Sequence, residues 1–386
     1  MTSLKILFIN TFEPVVPLYR DVFPRFEKAG MQPTAVVSAC QYRNDGNVME
    51  KQSQKQLWVP RILRSNRRWC AVFYYLIGPL ILITASANTR IVFLSQPPLF
   101  YIIGSAIARW KGNRYYLHVM DLYPDLLEKS GMFGSGYLSR FMQRMSMTAF
   151  SGAEKIITIG RCMEAVLHDK GIATEKTAVV ENWPDNKLAS HLGEGKIFRE
   201  KYGLTGKLVV MYSGNIGQFH SFDAILSVAN RLQSRKDIVF VFIGNGRRRP
   251  EIEKVIHENA TNILLLEPQP ADQFPEIMAA GDVHFVSLRK EFEGLIVPSK
   301  FYGILAMGRP VIYEGSSYGE VARVIAEERC GVIVPSGDDQ VLEEKLLGYV
   351  GERSRIFEEG RRAKTAYKER FRNDVLSQRY VEIITS

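Results

Sequence analysis

Short apolar runs alternate with amphipathic helical stretches along the whole 386-residue chain. In the first half, apolar runs predict strands at 4–10, 33–38, 90–95, 114–120, 155–159 and 177–181. In the second half, they predict strands at 207–213, 238–243, 262–266, 282–287, 310–313 and 331–334. Helical periodicity lies between them, over 18–30, 135–150, 221–233, 250–258, 271–280, 299–307, 318–328 and 338–350. Strands that alternate with helices indicate parallel sheets, and two such series indicate two doubly wound domains.

A turn-rich cluster, Asn182–Asp185, follows the last strand of the first series and marks the domain boundary. We therefore predict an N-terminal domain over 1–184 and a C-terminal domain over 185–360. The remainder, 361–386, reads as a helix that packs back toward the N-terminal domain. The fold class is α/β, with two Rossmann-like domains facing across a cleft. Ligands bind open α/β sheets at the carboxyl ends of the strands, so the loops there are the candidate sites.

The composition is that of a folded globular protein, with 46% hydrophobic and 24% charged residues. The four cysteines are far apart and form no CxxC pair, which excludes a zinc ribbon and a disulfide framework. We expect a reducing, cytoplasmic environment and no bound metal. The N-terminal apolar run is too short for a signal peptide.

Positive charge is concentrated in the first half, where 1–184 hold 22 Lys and Arg against 13 Asp and Glu. No acidic residue occurs between Lys51 and Met120. This half should therefore face an anionic partner, either nucleic acid or a membrane surface. Because no nucleic-acid-binding module is present, we favour the membrane.

A basic cluster over 61–68 precedes the uncharged stretch Trp69–Ala87. This stretch is long enough for a marginal transmembrane helix, but Gly78-Pro79 interrupts it and a strand follows almost directly. We expect a buried or surface-embedded helix held to anionic lipids by the cluster. The candidate membrane-facing residues are Arg61, Arg64, Arg67 and Arg68.

Two glycine-containing loops follow predicted strands in the second half, at 213–220 and 244–250. Glycines allow backbone N–H groups to approach a ligand, and the helix N-termini that follow favour an anion. An ordinary strand-to-helix turn is the alternative. Three consecutive arginines cannot all face one ligand, and we expect Arg248 to contact a diphosphate. The candidate anion-binding residues here are Gly214, Asn215, Gly217, His220, Gly244, Gly246 and Arg248.

A third segment, Pro298–Val311, places a lysine at the start of a predicted helix. Ser299 reads as the N-cap, and Lys300 then lies where the helix dipole repels a cation. That position is reasonable for a lysine if an anion lies opposite. The candidate residues of this segment are Pro298, Ser299, Lys300 and Tyr302.

These segments resemble the C-terminal domain of GT-B glycosyltransferases, specifically glycosyltransferase family 4 in its bacterial cell-surface polysaccharide branch. The matching stretches, in order, are 179–185, 213–217, 242–246, 298–312 and 330–334. The resemblance covers nearly the whole chain and is strongest in the second half.

The resemblance implies a retaining glycosyltransferase that needs neither metal nor cofactor. It implies a nucleotide-sugar donor in the C-terminal domain, a UDP-sugar ahead of a GDP-sugar. The acceptor, in the N-terminal domain, would be a saccharide on a polyprenyl diphosphate. The protein would then lie peripherally at the inner face of the plasma membrane and take part in surface polysaccharide biosynthesis.

The sequence departs from the family in its phosphate clamp, where Asn215 and His220 replace an arginine and a lysine. We expect Arg248 and Lys300 to supply the positive charge instead. Backbone N–H groups and cations can stabilise a leaving diphosphate without a metal ion.

Two other departures concern the ribose and the first strand. Gly303 stands where the family has the second glutamate of its Glu-x7-Glu motif, so Glu291 or Glu293 would have to hold the ribose. The glycine pair usual after the first strand is replaced by Phe12–Val16.

In the N-terminal domain, Asp121 follows the predicted strand 114–120, in an Asp-Leu-Tyr-Pro sequence similar to one in this branch. A carboxylate there would accept the acceptor hydroxyl proton or stabilise an oxocarbenium-like centre. A helix N-cap or a structural hydrogen bond is the alternative. His118 is either a second catalytic group or a packed strand residue.

Two other functions fit this architecture. A nucleotide-sugar epimerase needs no lipid acceptor, which the basic N-terminal half disfavours. A non-catalytic, membrane-associated protein would explain the altered clamp and the missing ribose glutamate. A nicotinamide dehydrogenase is disfavoured because no GxGxxG follows the first strand.

Overall fold

The computed structural model describes residues 4–10, 16–38, 54–57, 67–134, 136–191, 193–258 and 260–386. The chain divides into two compact units. Unit 1 comprises residues 1–181, 294–297 and 374–386, and unit 2 comprises 182–293 and 298–373. The segment 294–297 thus belongs to unit 1 although it lies far along the chain.

Unit 1 contains a seven-stranded parallel sheet in the order β3-β2-β1-β4-β5-β6-β7. The strands are β1 (Leu4–Ile9), β2 (Met31–Ser38), β3 (Gln54–Leu57), β4 (Arg90–Leu94), β5 (Tyr115–Val119), β6 (Lys155–Thr158) and β7 (Thr177–Val179). The helices of its N-terminal segment are α1 (Val16–Lys28), α2 (Arg67–Thr84), α3 (Phe100–Trp110), α4 (Asp125–Lys129), α5 (Tyr137–Gly152) and α6 (Arg161–Asp169).

The helices α2, α3 and α5 lie on one face of this sheet. Each connects parallel strands that step in the same direction along the sheet, and such crossovers are right-handed. Accordingly, α3 packs against both α2 and α5. The helix α1 connects strands that step the opposite way, so it covers the other face.

Unit 2 contains a six-stranded parallel sheet in the order β10-β9-β8-β11-β12-β13. The strands are β8 (Leu208–Ser213), β9 (Ile238–Ile243), β10 (Ile263–Leu266), β11 (Val283–Ser287), β12 (Val311–Glu314) and β13 (Gly331–Val334). The helices are α7 (Asn186–Ser190), α8 (Lys196–Lys201), α9 (Asp223–Arg231), α10 (Arg249–His257), α11 (Phe274–Ala280), α12 (Lys300–Met307), α13 (Glu320–Glu328), α14 (Asp339–Gly351) and α15 (Ser354–Arg370).

The strand order reverses between β1 and β4 in unit 1 and between β8 and β11 in unit 2. Loops that leave neighbouring strands in opposite directions open a crevice at such a switch point. In unit 2, the loop after β8 and the loop that leads from β11 to α12 therefore flank a ready binding position.

The twelve predicted strands are all present, within two residues at each end. The strand β3 was missed, because its sequence Gln-Lys-Gln-Leu has no apolar alternation. The predicted single terminal helix is wrong: α15 ends at Arg370 and a separate helix, α16 (Asn373–Thr385), follows. Between them, the Phe371 side chain is fully buried, with its ring centroid 5.2 Å from that of Tyr302. This anchored residue separates the two helices.

The uncharged stretch after the basic cluster forms most of α2, with Pro79 inside the helix. Arg67 and Arg68 begin this helix, whereas Arg61 and Arg64 lie outside the described residues. Within the described ranges, no helix has the length and hydrophobicity that crossing a membrane requires.

Candidate functional site

The loops after β8 and β9 pack directly against each other in unit 2. A Cβ atom on Gly244 would lie 1.9 Å from the Gly214 carbonyl oxygen, and one on Gly246 would lie 2.2 Å from the Ile216 carbonyl oxygen. Both glycines also have positive φ angles, 149° and 155°. These two glycines are therefore needed for loop-to-loop packing. In the loop after β8, Gly214 and Asn215 are exposed and remain available to a ligand.

Replacing Gly244 with alanine should lower the free energy of unfolding by about 1–3 kcal/mol, because the methyl group would displace the Gly214 carbonyl. Urea denaturation followed by circular dichroism measures this loss. Gly348→Ala is the control, since it lies in α14 with no positive φ and only a side-chain atom at 3.5 Å from its added Cβ. Equal stability of the two variants would contradict the packing role.

Lys300 is the first residue of α12, as predicted, and its ammonium group is buried. The Nζ atom lies 3.5 Å from the centroid of the Tyr212 ring and has no hydrogen-bond partner among the described residues. A Cβ on Gly214 would lie 3.5 Å from the same Nζ atom. Burial holds the pKa of Lys300 well below its usual value. A buried lysine that has no hydrogen-bond partner among the described residues therefore lies at the exposed Gly214 loop, with its Nζ atom against the Tyr212 ring.

His220 lies in the loop after β8, where its Nδ1 atom is 2.5 Å from the Ser287 carbonyl oxygen at the end of β11. A carbonyl only accepts, so the ring proton is on Nδ1. Burial, with a smaller contribution from the nearby charge of Lys300, lowers the pKa of His220 to about 3. The imidazole is neutral at pH 7 and supplies no positive charge at this position.

Arg248 does not point toward a free ligand position. Its Nε atom lies 2.8 Å from Glu251 Oε1, and its Nη2 atom lies 3.0 Å from Asp223 Oδ2. Its Nη1 atom donates to the His220 carbonyl at 2.6 Å. The expectation that Arg248 is the diphosphate arginine is therefore disfavoured, because two carboxylates already neutralise it. Its observed role is to tie the start of α10 to the start of α9.

The two neighbouring arginines, Arg247 and Arg249, differ in whether they form an ion pair. Arg249 donates to Glu253 at 2.8 Å, whereas Arg247 is exposed and donates to the amide oxygen of Gln218 at 2.7 Å. Of the three arginines, Arg247 alone makes no ion pair within the part of the chain that the structure describes.

The other predicted residues around α12 are divided between surface and core. Ser299 occupies the N-cap position and is exposed, but its side chain makes no capping hydrogen bond. Pro298 is buried. Tyr302 is fully buried in the interior of unit 2 against Phe371, so its predicted contact with a ligand is not favoured.

Gly303 is covered by α7. A Cβ at this position would lie 3.2 Å from Leu188 Cδ1, so the direction that a longer side chain would take is filled by a buried leucine. A side chain at this point of α12 would therefore meet Leu188, which would have to move by a few tenths of an ångström.

The proposed substitutes for this glutamate have different surroundings. Glu291 pairs with Arg289 at 2.5 Å, which engages its carboxylate. Glu293 is half-buried and accepts a hydrogen bond from the Tyr313 hydroxyl at 3.2 Å. Both carboxylates therefore already have a partner.

A further carboxylate, Glu314, was not identified from the sequence. It ends β12 with a fully buried side chain and accepts a hydrogen bond from the Gly337 amide at 3.0 Å. Its Oε2 atom has no partner among the described residues, and burial raises the pKa of this carboxyl group. The only sequence signal was its position at the carboxyl end of a strand.

In unit 1, Asp121 is held by two residues that follow β4. The Ser95 hydroxyl accepts hydrogen bonds from the Met120 and Asp121 amides at 2.8 and 3.0 Å. The Gln96 Nε2 atom donates to Asp121 Oδ2 at 3.4 Å and to the Tyr123 hydroxyl at 3.3 Å. Burial raises the pKa of Asp121 to about 6, and the Gln96 contact opposes this shift. The carboxyl group therefore titrates close to neutral pH, as a general base requires.

The segment 294–297 also holds this loop in place. Asp121 forms an isolated antiparallel bridge with Ile296, and the Leu122 amide donates to the Leu295 carbonyl at 2.8 Å. The sequence alone does not indicate Ser95, Gln96 or the segment 294–297, because each contacts the Asp121 loop from a position far away in the chain.

His118 lies in the core of unit 1. Its side chain is buried, and its ring packs against Tyr380 of α16 with centroids 5.1 Å apart. Burial lowers its pKa to about 4, so the imidazole is neutral at pH 7 and a weak base. The packed-residue interpretation is favoured over a catalytic role. Over the described residues, no group of His, Cys, Asp or Glu side chains is arranged to hold a metal ion.

Comparison with known proteins matches residues 207–351 to the family model "Glycosyl transferases group 1". The chain is 26% identical over 236 residues to a protein of Escherichia coli K12 named as a colanic acid biosynthesis glycosyl transferase, WcaI, covering 59% of this chain and 58% of that protein. It is also 26% identical over 263 residues to a Pseudomonas aeruginosa protein named as a glycosyltransferase, WbjE, covering 67% and 64%. These matches span less than two thirds of either relative.

Among solved structures, Anabaena HepE in complex with UDP is similar over 99% of both chains, with a TM-score of 0.74 and 13% sequence identity. The same protein has also been solved with UDP-glucose. This similarity shows the fold, and the predicted GT-B fold is confirmed.

Proposed function

We propose that this protein is a glycosyltransferase that uses a nucleotide sugar, a UDP-sugar ahead of a GDP-sugar, in surface polysaccharide biosynthesis. The observation that carries the proposal is the buried Lys300 ammonium, which has no hydrogen-bond partner in the described part of the chain and lies beside the exposed Gly214-Asn215 loop. It lies inside the region matched to the glycosyl transferase model and at the switch point of the unit 2 sheet. The UDP complexes of HepE support the choice of nucleotide.

In this proposal, Lys300 and the backbone of the Gly214 loop receive the diphosphate of the donor. As the sugar leaves, negative charge grows on the phosphate oxygens, and a desolvated ammonium stabilises this charge more strongly than one in water. This arrangement requires no metal ion. Arg247 is the arginine available for a second contact, and Glu293 is the proposed ribose ligand.

We assign Asp121 to the reaction with the acceptor, in unit 1. Its carboxylate accepts the proton of the acceptor hydroxyl or stabilises the oxocarbenium-like centre. Retention of configuration and a polyprenyl-diphosphate-linked saccharide acceptor are what the family resemblance implies, and we include both in the proposal.

The activity is tested by offering labelled nucleotide sugars with a bacterial lipid extract in the presence of EDTA. The proposal predicts transfer of label into the organic phase by the wild-type protein, and loss of that transfer in Asp121→Asn. Label that stays in the nucleotide sugar for every donor would contradict it.

We also propose that the protein docks on an anionic membrane through α2. Four apolar side chains of this helix form an exposed stripe: Val72 is 47% exposed, Leu76 67%, Leu80 56% and Ile83 46%. Their spacing of three and four residues places them on one helix face, while Leu82 and Tyr74 are fully buried on the other. An exposed apolar stripe of this kind marks an interaction surface.

The neighbouring helices also expose apolar side chains. On the same face of the sheet, α3 exposes Ile103, and α5 exposes Leu138 and Phe141 at 60% and 56%. The exposed arginines Arg140 and Arg144 lie on α5 beside them. Apolar side chains next to basic ones suit the interface of an anionic bilayer.

The variant Leu76→Ser/Leu80→Ser should lose affinity for phosphatidylglycerol-containing vesicles by tenfold or more, since each leucine is worth about 1.5–3 kcal/mol when buried. Vesicle co-sedimentation measures this. Ile197→Ser is the control, because Ile197 is 74% exposed but lies in unit 2. Unchanged sedimentation of the double variant would exclude α2 as the docking helix.

A further inference from the structure

A cavity of about 630 Å³ lies at the amino ends of the unit 1 strands, whereas Asp121 lies at their carboxyl ends. Its walls are the first residues of β1, the turn between α2 and β4, and the turn after α3. Nothing in the proposed transfer reaction uses it. Because it opens to solvent at the end of α2, it is available to a ligand from outside.

The described charged residues that line the cavity are all basic. Lys5, Arg90 and Arg114 line it, and none of its described lining residues is acidic. Lys5 is exposed and makes no ion pair with a described residue. Arg114 pairs with Glu154 at 3.7 Å, and both side chains are about half exposed. Such a distant, hydrated pair neutralises the arginine only weakly.

The wall of the cavity is fixed by hydrogen bonds. The Lys111 ammonium donates to the carbonyl oxygens of Ile83 and Ala85, which closes the end of α2. Asn113 donates to the Ser86 and Thr89 carbonyls at 2.8 and 2.9 Å. Arg90 donates to the Ile384 carbonyl of α16. These hydrogen bonds hold the turn in place without a ligand, which lowers the entropic cost of binding.

The position of the cavity relates it to the apolar stripe of α2. Ile83 ends the stripe, and Ser86 and Ala87, three and four residues later, line the cavity. A helix that lies in the membrane interface buries its apolar face at the boundary of headgroups and acyl chains. The residues just past the end of α2 would then lie at the level of the lipid phosphates.

We propose that this cavity binds a phosphate group, and that its source is the headgroup of an anionic phospholipid. The proposal rests on the membrane docking of α2 proposed above, and not on the sugar-transfer chemistry. The lipid tails would follow the α2 stripe, while Lys5 and Arg114 would contact the phosphate. A single bound headgroup would thereby fix the orientation of the docked protein.

The test uses the double variant Lys5→Gln/Arg114→Gln, and Arg90 is kept because it also bonds α16. The control, Lys28→Gln/Lys254→Gln, removes the same charge from exposed positions on α1 and α10. Vesicles of phosphatidylcholine, with and without phosphatidylglycerol, are compared by co-sedimentation. Two basic contacts predict a loss of about tenfold or more on the anionic vesicles for the cavity variant only.

A calorimetric titration with glycerol 1-phosphate distinguishes the source of the phosphate. If this soluble compound binds the wild-type protein and not the cavity variant, while vesicle affinity is equal in the two, the site takes a free phosphate ester and the phospholipid assignment is overturned. If the cavity variant matches the control in both assays, the site is overturned altogether. In that second case, sedimentation that still depends on Leu76 and Leu80 would leave membrane docking intact.

Discussion

Replacing Lys300 with methionine is expected to weaken binding of the nucleotide-sugar donor by about ten- to a hundredfold, because a charge-assisted contact to phosphate is worth about 1.5–3 kcal/mol. Isothermal titration calorimetry measures this change. The free protein should be no less stable than the wild type. The ammonium is buried without a hydrogen-bond partner among the described residues, and methionine fills the same space without the cost of desolvating a charge.

The pH dependence of stability gives a second readout for the same variant. Burial lowers the pKa of Lys300 in the folded state, so the unfolded chain binds more protons there. Wild-type stability should therefore rise with pH in the alkaline range, and this contribution should be absent in Lys300→Met. The control is Lys254→Met, whose side chain is 75% exposed. Equal donor affinity in wild type and Lys300→Met would remove Lys300 from the donor site.

Replacing Asp121 with asparagine is expected to reduce turnover by about a hundred- to ten-thousandfold, the usual contribution of a general base, with little change in donor affinity. The amide keeps the shape of the carboxyl group but loses its charge and basicity. Steady-state kinetics on the labelled lipid product measure the effect. Asp169→Asn, an exposed site in unit 1, is the control. A wild-type rate in Asp121→Asn would assign Asp121 to structure.

The pH profile of the wild-type protein tests the same assignment. Burial raises the pKa of Asp121 to about 6, and only the ionised form accepts a proton. Turnover should therefore rise with pH through about 6 and level off above it. A flat profile between pH 5 and 8 would contradict the role of Asp121 as the base.

The sequence predicted those features that depend on local pattern. Period-two and period-3.6 hydrophobicity located the strands and most helices, because burial on parallel sheets imposes it directly. The residues around Lys300 predicted that α12 begins there. Gly308 ends that helix with a φ of 70°, as expected of a left-handed C-cap. The expectation that candidate residues follow the carboxyl ends of strands also led to the loop after β5, where Asp121 lies.

The features that sequence reasoning missed depend on partners far along the chain. The sequence favours Arg248 as a ligand because it does not show that the fold brings the Asp223 carboxylate to this guanidinium. The sequence likewise favours Tyr302 as a binding residue, because Phe371, which packs against it in the structure, lies almost seventy positions later. Gln96 was not noticed because only the fold brings it to Asp121.

The measurement that tests the central claim most directly is a thermal-shift panel of UDP-, GDP-, ADP- and dTDP-sugars on the wild-type protein and Lys300→Met, in EDTA and then in Mg²⁺. We expect one class of nucleotide, UDP first, to raise the melting temperature of the wild type equally with and without Mg²⁺. The same compound should have little effect on Lys300→Met. No shift with any nucleotide sugar, or an equal shift in the variant, would contradict a donor site built on Lys300 and favour a non-catalytic protein of the same fold.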